Sequence, residues 1–184
     1  QPFVERRDAL TALLDDDRLY RIHEDLLGPG FQWIGSDGNL YVGDTAWHSD
    51  REGDDVEYGY TRIKTTLHLD PVTEDTGCLR IIPGSHKQVL HESLAPLRQD
   101  DDSSQTRFGL AAADIPGFPI ESQPGDVVVF NQVCWHSSFG GRAGRRMLAL
   151  SLIATPSADE HVAYLRKTYA KMRFGYRPAK SWVN

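Results

Sequence analysis

Two short segments carry the strongest signal in this sequence: Thr45-Ala46-Trp47-His48-Ser49-Asp50 and, far downstream, Cys134-Trp135-His136-Ser137-Ser138. Together they supply two imidazoles and one carboxylate. These are the protein ligands of non-haem Fe(II) oxygenases, which leave one face of the metal open. We therefore predict that His48, Asp50 and His136 are metal ligands and form the catalytic centre.

The pattern His-x-acid is weak evidence by itself, because 26 acidic residues and seven histidines among 184 positions give about one match by chance. The chain has three matches. His23-Glu24-Asp25 has helical spacing of apolar residues around it, and side chains two apart on a helix do not face each other. His68-Leu69-Asp70 precedes Pro71, so its aspartate is interpreted as the start of a turn. His48 and Asp50 lie in an extended segment, where alternate side chains share a face, and form the best pair.

Length and composition limit the class of protein. With 184 residues, 40% of them hydrophobic, the chain predicts a single domain over residues 1–184. A net charge of −6 argues against a nucleic-acid surface, which needs clustered Lys and Arg. No apolar run approaches the roughly 20 residues of a membrane helix. Cys78 and Cys134 suggest no disulfide framework. We therefore expect a soluble, cytoplasmic protein with no nucleic-acid or membrane partner.

The order of elements predicts helices on either side of a core of short strands. Helices are expected over residues 3–14 and 16–27, and a last helix over 157–172 begins with a capping box of Ser157 and Glu160. Within a core of about 31–155, strands are expected at 31–34, 39–42, 46–50, 60–69, 77–82, 126–130, 134–137 and 145–154. Many short strands at this spacing favour a mainly β sandwich or barrel.

The polar stretch 97–122 interrupts this rhythm. A connection of this length in a compact domain favours a lid over a functional site or a mobile insertion. A disordered surface loop is the alternative.

Three stretches stand in a recognisable order. They are residues 43–50, the segment 77–87 with its Pro83-Gly84-Ser85-His86, and residues 125–130 leading to Trp135-His136 and Arg145-Arg146. In this order they resemble the phytanoyl-CoA dioxygenase family of Fe(II)- and 2-oxoglutarate-dependent oxygenases. The resemblance covers about residues 40–154. It implies a double-stranded β-helix, or cupin-like jelly roll, with flanking α-helices, and it implies Fe(II), 2-oxoglutarate as cosubstrate, and O2.

The far carboxylate of 2-oxoglutarate needs a fixed positive partner, and Arg offers a planar fork that pairs with both oxygens. In the family this arginine follows the second histidine by about ten residues. Arg145 and Arg146 follow His136 by nine and ten. The family's pattern favours Arg145, and direct spacing favours Arg146. Because strand neighbours point oppositely, one of them should face the barrel interior.

Further positions follow from the same resemblance. Thr66 matches a strand position that borders 2-oxoglutarate in the family, with Lys64 and His68 on its face. Tyr41 and Thr45 are candidate hydroxyl donors to the cosubstrate, with ordinary barrel lining as the alternative.

The sequence also predicts whether four aromatic residues outside the candidate site are buried or exposed. Trp47 and Trp135, each preceding a ligand histidine, are expected to pack in the core. His91 and His161 are expected at the surface.

The activity implied is hydroxylation of an aliphatic C–H bond of a small molecule, with release of succinate and CO2. Asp50 supports hydroxylation, because halogenating relatives replace this carboxylate with a small residue. Two alternatives come from other classes. One is a redox-inert, cupin-like metal isomerase or hydrolase, for which a His-x-His pair is expected. The other is a non-catalytic binding module.

Overall fold

The computed structural model describes residues 3–51, 55–98, 101–141 and 144–171. Its strands are β1 (Gln32–Tyr41), β2 (Thr45–His48), β3 (Arg62–His68), β4 (Leu79–Ile81), β5 (Phe118–Ile120), β6 (Val127–Asn131), β7 (His136–Ser138) and β8 (Arg145–Ile153). They form two four-stranded sheets, with the orders β1-β8-β3-β6 and β2-β7-β4-β5. All the paired strands are antiparallel. The described chain is therefore mainly β, as predicted.

Short helices lie between and around the strands. The α-helices are α1 (Asp8–Thr11), α2 (Asp17–Leu27), α3 (Asp55–Gly59), α4 (Gln88–Ser93), α5 (Asp101–Phe108) and α6 (Asp159–Lys171). Single 3-10 turns occupy Val4–Arg6, Glu74–Thr76, Ala95–Arg98 and Ala112–Asp114. Within the described ranges, no helix is long and apolar enough to cross a membrane.

One hydrophobic core lies on the outer face of the first sheet. Ile63 of β3 alternates with cavity-facing neighbours, and it packs with Leu150 and Leu152 of β8 against the N-terminal segment. That segment contributes Phe3 and Val4, which are 5% and 0% exposed. The N-terminal helices thus cover the sheet and leave its other face to the site.

A second core lies behind the other sheet. Trp47 and Trp135 are 1% and 0% exposed and pack with Leu97, Ala112 and Ile115. The prediction that both tryptophans point into the core is confirmed. Since three residues of the stretch 97–122 are buried here, its described part is an outer layer of the fold. The alternative of a disordered loop is wrong for that part, which forms α5, a 3-10 turn and β5, and the expectation of a lid or mobile insertion stays a prediction.

Two strands differ from the sequence prediction. Residues 31–34 and 39–42 were predicted as separate strands, yet β1 runs through Gly35 and Gly38 and pairs with β8 over its whole length, with one irregularity between Trp33 and Gly35. The long partner strand explains this continuity. β5 was not predicted, because it has three residues and contains Pro119. It lies at the edge of its sheet, where proline is tolerated.

The predicted terminal helices are shorter than expected. The helix predicted over 3–14 is divided at Arg7, whose backbone is extended (φ −151°, ψ 137°). The last helix begins at Asp159. The predicted capping box is not formed, because the Ser157 backbone N–H donates to His161 Nδ1 at 3.2 Å. Residue 172, the predicted end of this helix, lies outside the described residues.

Candidate metal and cosubstrate site

The two predicted histidine ligands lie on paired strands. His48 of β2 is the register partner of His136 of β7. Their ring centroids are 4.1 Å apart. Asp50 follows two residues after the end of β2, and its Oδ1 lies 3.9 Å from His136 Nε2. One potential ligand atom from each residue lies within 4.8 Å of the others. The fold therefore brings the three side chains into one group.

Both imidazoles are oriented by the chain immediately before them. His48 Nδ1 lies 2.8 Å from the carbonyl oxygen of Ala46. His136 Nδ1 lies 2.9 Å from that of Cys134. Because a carbonyl only accepts, Nδ1 carries the hydrogen in each ring and Nε2 keeps its lone pair. This tautomer, held by a partner outside the metal, is the usual one for a metal-binding histidine.

The charges in the group also suit a divalent cation. Burial lowers the pKa of His136 to about 4. Burial by itself raises the pKa of Asp50, but the Lys64 ammonium, 2.7 Å from Oδ2, and the His136 imidazole outweigh it and hold that pKa below its usual value. At neutral pH His136 is neutral and Asp50 ionised, which are the forms that bind metal. Two histidines and a carboxylate in this arrangement fit Fe(II).

The group lies in a cavity between the two sheets. Tyr41, Thr45 and Thr66, the predicted cosubstrate neighbours, all line it. Lys64 and His68 share the Thr66 face of β3, as alternation requires. The other lining residues are Val72, Gly77, Leu79, Phe130, Ser137, Ser138, Arg145, Arg146 and Met147, together with both ligand histidines. The apolar members of the lining are Val72, Leu79, Phe130 and Met147.

Arg145 is fixed at the cavity wall by acceptors from three different segments. Its Nη1 donates to the Gly77 carbonyl and, at 2.8 Å, to Ser138 Oγ. Its Nη2 donates to the Gly43 carbonyl at 2.5 Å. The guanidinium also lies 5.7 Å from the centre of the Tyr41 ring. These contacts give the cavity a fixed positive charge.

Glycine residues make room for this guanidinium. Gly77 has φ +87°, and a Cβ there would come within 2.7 Å of Arg145 Cζ. A Cβ on Gly141 would come within 2.8 Å of the same atom. Any other residue at either position would displace Arg145. Gly77 of the predicted signature is therefore required by a contact as well as by its backbone conformation.

Arg146 has a different environment. Its Nη2 and Nε donate to the two oxygens of Asp70 at 2.8 and 3.0 Å, and its side chain is 60% exposed. The Asp70 carboxylate also accepts the Arg146 backbone N–H at 2.7 Å. This pair holds Arg146 at the rim of the cavity. Of the two arginines left open by the sequence, the geometry favours Arg145 as the partner of an anion inside.

Ser138 is a cavity residue that the sequence patterns did not single out. Its hydroxyl donates to the Gly77 carbonyl at 2.8 Å and accepts from Arg145, so it joins the wall behind the arginine. Ser138 lies two residues after His136 on β7. Strand alternation from that ligand was the signal that would have identified it.

Three histidines outside the metal group, His23, His91 and His161, contact other side chains or backbone groups of the fold. His23 is buried, and its Nε2 lies 2.8 Å from Thr65 Oγ1. The prediction that His91 lies at the surface is wrong: it is 3% exposed, and its Nδ1 is 3.0 Å from the Val133 carbonyl. His161 is half-buried and stacks on Tyr60 with centroids 4.2 Å apart, so it lies at the surface as expected, but as a packed side chain. Neither packing contact is visible in local sequence.

Fold and site together define a two-sheet β protein with a two-histidine, one-carboxylate metal centre. Comparison with protein families agrees with this class. Residues 18–147 match the family Phytanoyl-CoA dioxygenase (PhyH), and the chain belongs to that family. The resemblance predicted from the three sequence stretches is confirmed.

Curated relatives are longer than this chain. A protein named Dioxygenase lolE1, from Epichloe uncinata, is 29% identical over 125 residues, which are 66% of this chain and 43% of that protein. The Mycobacterium tuberculosis protein Rv1501 is 24% identical over 105 residues and matches over 33% of its own length. The chain thus spans less than half of these relatives.

Solved structures share the fold. HygX from Streptomyces hygroscopicus, crystallised with nickel and 2-oxoglutarate, has 18% identity and a TM-score of 0.64, covering 84% of this chain and 68% of HygX. EctD from S. alaskensis, with 2-oxoglutarate and 5-hydroxyectoine, has 24% identity and a TM-score of 0.59, covering 82% of this chain and 54% of EctD. At these identities the likeness concerns the fold, and it confirms the predicted jelly roll.

Proposed function

We propose that this protein is an Fe(II)- and 2-oxoglutarate-dependent dioxygenase that hydroxylates an aliphatic C–H bond of a small molecule. The observation that carries the proposal is one cavity that combines the group His48, Asp50 and His136 with the fixed guanidinium of Arg145. A metal centre with an open face and an anion partner at the wall are the two requirements of a chelating dicarboxylate. The names of relatives and the ligands of structural neighbours are consistent with this assignment.

Each residue has a defined role in the proposal. His48 and His136 present their Nε2 atoms, and Asp50 presents an ionised carboxylate, so the three would hold Fe(II). When bound, iron would supply the oxidising chemistry that couples O2 and 2-oxoglutarate decarboxylation to substrate hydroxylation, with succinate and CO2 as coproducts. Arg145 binds the far carboxylate of 2-oxoglutarate through a charge-assisted, two-pronged contact.

The cavity wall assists these residues in two ways. Thr66, Tyr41 and Thr45 supply hydroxyl groups along the path between the metal group and Arg145. Phe130 and Leu79 exclude water, which strengthens the ionic contacts inside. Asp50 occupies the ligand position that a halide would need, so hydroxylation is favoured over halogenation.

The test is an anaerobic titration of Fe(II)-loaded protein with 2-oxoglutarate. A chelated 2-oxoacid on ferrous iron at an open facial site is expected to give a weak visible band near ~500 nm. His136→Ala should abolish the band. Loaded wild-type protein that gives neither the band nor a calorimetric binding signal for 2-oxoglutarate would refute the proposal.

The two alternative classes predict different results in the same assay. A redox-inert isomerase or hydrolase would bind zinc or manganese and show no dependence on 2-oxoglutarate. A binding module would release no succinate with any substrate. The chain has no His-x-His pair, and its metal group includes a carboxylate, so neither alternative is favoured.

The proposal extends to partners and location. Membership of the family supports a small-molecule substrate, and the net charge of −6 argues against a nucleic-acid partner. A cytoplasmic location is supported by Cys78 and Cys134, which are both buried and unbridged.

A further inference from the structure

Lys64 differs from the other cavity residues because its ammonium contacts a candidate metal ligand. Lys64 Nζ lies 2.7 Å from Oδ2 of Asp50. The other oxygen, Oδ1, is the one that lies 3.9 Å from His136 Nε2. The two oxygens of this carboxylate therefore have separate partners, one toward the histidines and one toward the lysine.

The backbone on both sides of this ion pair is held in place by Gln132, which is 1% exposed. Its carbonyl accepts the Asp50 N–H at 3.2 Å, and its Oε1 accepts from Arg51 Nε at 3.0 Å. Its Nε2 donates to the Ile63 carbonyl at 2.9 Å, directly before Lys64. Gln132 thus ties the segment after β2 to β3, and the ion pair spans two segments whose spacing is fixed.

The number of Asp50 oxygens that bind a metal determines how many coordination positions remain for other ligands. A carboxylate can bind through one oxygen or two. In an octahedral centre, two histidines and a monodentate aspartate leave three coordination positions, enough for a bidentate 2-oxoacid and O2. An aspartate bound through both oxygens would leave two positions, so none would remain for O2 beside a chelating 2-oxoacid. Where Oδ2 takes a position that the Arg145-held 2-oxoglutarate uses, the cosubstrate would also have to displace it.

Resting on the proposed function, we propose that Lys64 is a positioning residue that keeps Asp50 a one-oxygen ligand. The ammonium engages Oδ2 through a short charge-assisted contact and carries no lone pair of its own for the metal. Its positive charge also repels a cation that approaches Oδ2. The structure thus assigns to Lys64 the preservation of the third open position, and its loss should weaken cosubstrate binding without weakening metal binding.

The experiment measures two affinities separately in anaerobic protein. Fe(II) binding is measured first, and then 2-oxoglutarate binding to the Fe(II)-loaded protein, both by calorimetry. Lys64→Met removes the charge and keeps the chain length, and Lys87→Met makes the same change at an exposed lysine. Lys64→Arg keeps a cation opposite Oδ2. If Lys64→Met does not fold, Lys64→Gln provides the neutral variant.

In Lys64→Met we expect Fe(II) affinity to be equal to or higher than in wild type, with 2-oxoglutarate binding weaker by about ten- to a hundredfold, the range that one hydrogen bond to a charged group contributes. Lys87→Met should match wild type, and Lys64→Arg should recover most of the cosubstrate affinity. The inference is overturned if Lys64→Met binds 2-oxoglutarate as tightly as wild type. It is also overturned if iron and 2-oxoglutarate affinities fall together in a folded variant, which indicates a general structural role. Absence of 2-oxoglutarate binding in wild type and Lys87→Met would instead reject the proposed function itself.

Discussion

Arg145 and Arg146 are consecutive residues of β8, yet their guanidinium groups have opposite surroundings. That of Arg145 is enclosed at the cavity wall by Gly77, Ser138 and Gly43, whereas that of Arg146 pairs with Asp70 at the rim. A one-residue difference along the strand therefore separates a guanidinium at the cavity wall, the proposed partner of 2-oxoglutarate, from one that is paired with a carboxylate at the rim.

This difference predicts unequal effects of the same substitution. Arg145→Met should weaken 2-oxoglutarate binding to the Fe(II)-loaded protein by about ten- to a hundredfold, because a hydrogen-bonded charge contact contributes roughly 1.5–3 kcal/mol. Arg146→Met should leave this affinity almost unchanged, because the Arg146 side chain is 60% exposed and paired with Asp70 at the rim. Anaerobic calorimetry measures both. Equal losses in the two variants would contradict the assignment of Arg145.

Gly77→Ala tests the space behind Arg145. The added methyl group would overlap the guanidinium and would also strain a backbone with φ +87°. We expect lower stability and weaker 2-oxoglutarate binding. Gly109→Ala is the matched control, because Gly109 has φ +69° and no atom within 4 Å of its Cβ position. The midpoint temperature of thermal unfolding should fall in both variants, but the affinity for 2-oxoglutarate should fall only in Gly77→Ala. Intact affinity in a folded Gly77→Ala protein would show that Arg145 tolerates the displacement.

Loss of a ligand histidine should remove metal binding without unfolding the protein. For His136→Ala we expect Fe(II) affinity to fall by more than about a hundredfold, since contacts behind a ligand alone contribute ten- to a hundredfold. His86→Ala is the control, because His86 is exposed and its Nδ1 lies 3.8 Å from Cys134 Sγ, outside the metal group. Anaerobic calorimetry gives the affinity and circular dichroism the folded state. Wild-type affinity in His136→Ala would place the metal elsewhere.

The buried His23 predicts a pH dependence of stability. Burial lowers its pKa below the ordinary value of 6.5. As the pH falls through that value, the unfolded chain takes up a proton that the folded chain does not. The free energy of unfolding should therefore be largest at neutral pH and decrease below about pH 6.5.

Urea unfolding of metal-free protein at pH 7 and pH 5 measures this decrease. His23→Gln should show a smaller decrease than wild type, and His86→Gln should show the wild-type decrease. A decrease of the same size in His23→Gln would assign the pH dependence to other groups.

The grouping of His48, Asp50 and His136 could be predicted from the sequence because each side of it has a local pattern. His48 and Asp50 lie two residues apart in an extended segment, and a second Trp-His pair marks His136. The family signature then supplied the fold. The choice between Arg145 and Arg146 could not be made, because it depends on which of them Asp70 pairs with, and that contact joins residues 76 positions apart.

Other features depended on packing that no short pattern reports. His91 is buried because the short helix α4 sets it against Val133, and α4 has too few residues for a clear helical periodicity. Edge strand β5 was missed because a proline in three residues looks like a break. Ser138 lies two residues after His136 on β7, so strand alternation places both on one face. The sequence patterns did not single it out because a serine by itself indicates no particular chemistry.

Each ligand imidazole takes its direction from the carbonyl two residues before it, Ala46 for His48 and Cys134 for His136. The aim of each ring is therefore encoded within a tripeptide. A designer could exchange the outer helices and loops of this barrel and keep both rings correctly turned, provided that β2 and β7 stay paired. The proposed metal-binding half of the site is in this sense portable, whereas the proposed anion-binding half, assembled around Arg145 from distant segments, belongs to this fold.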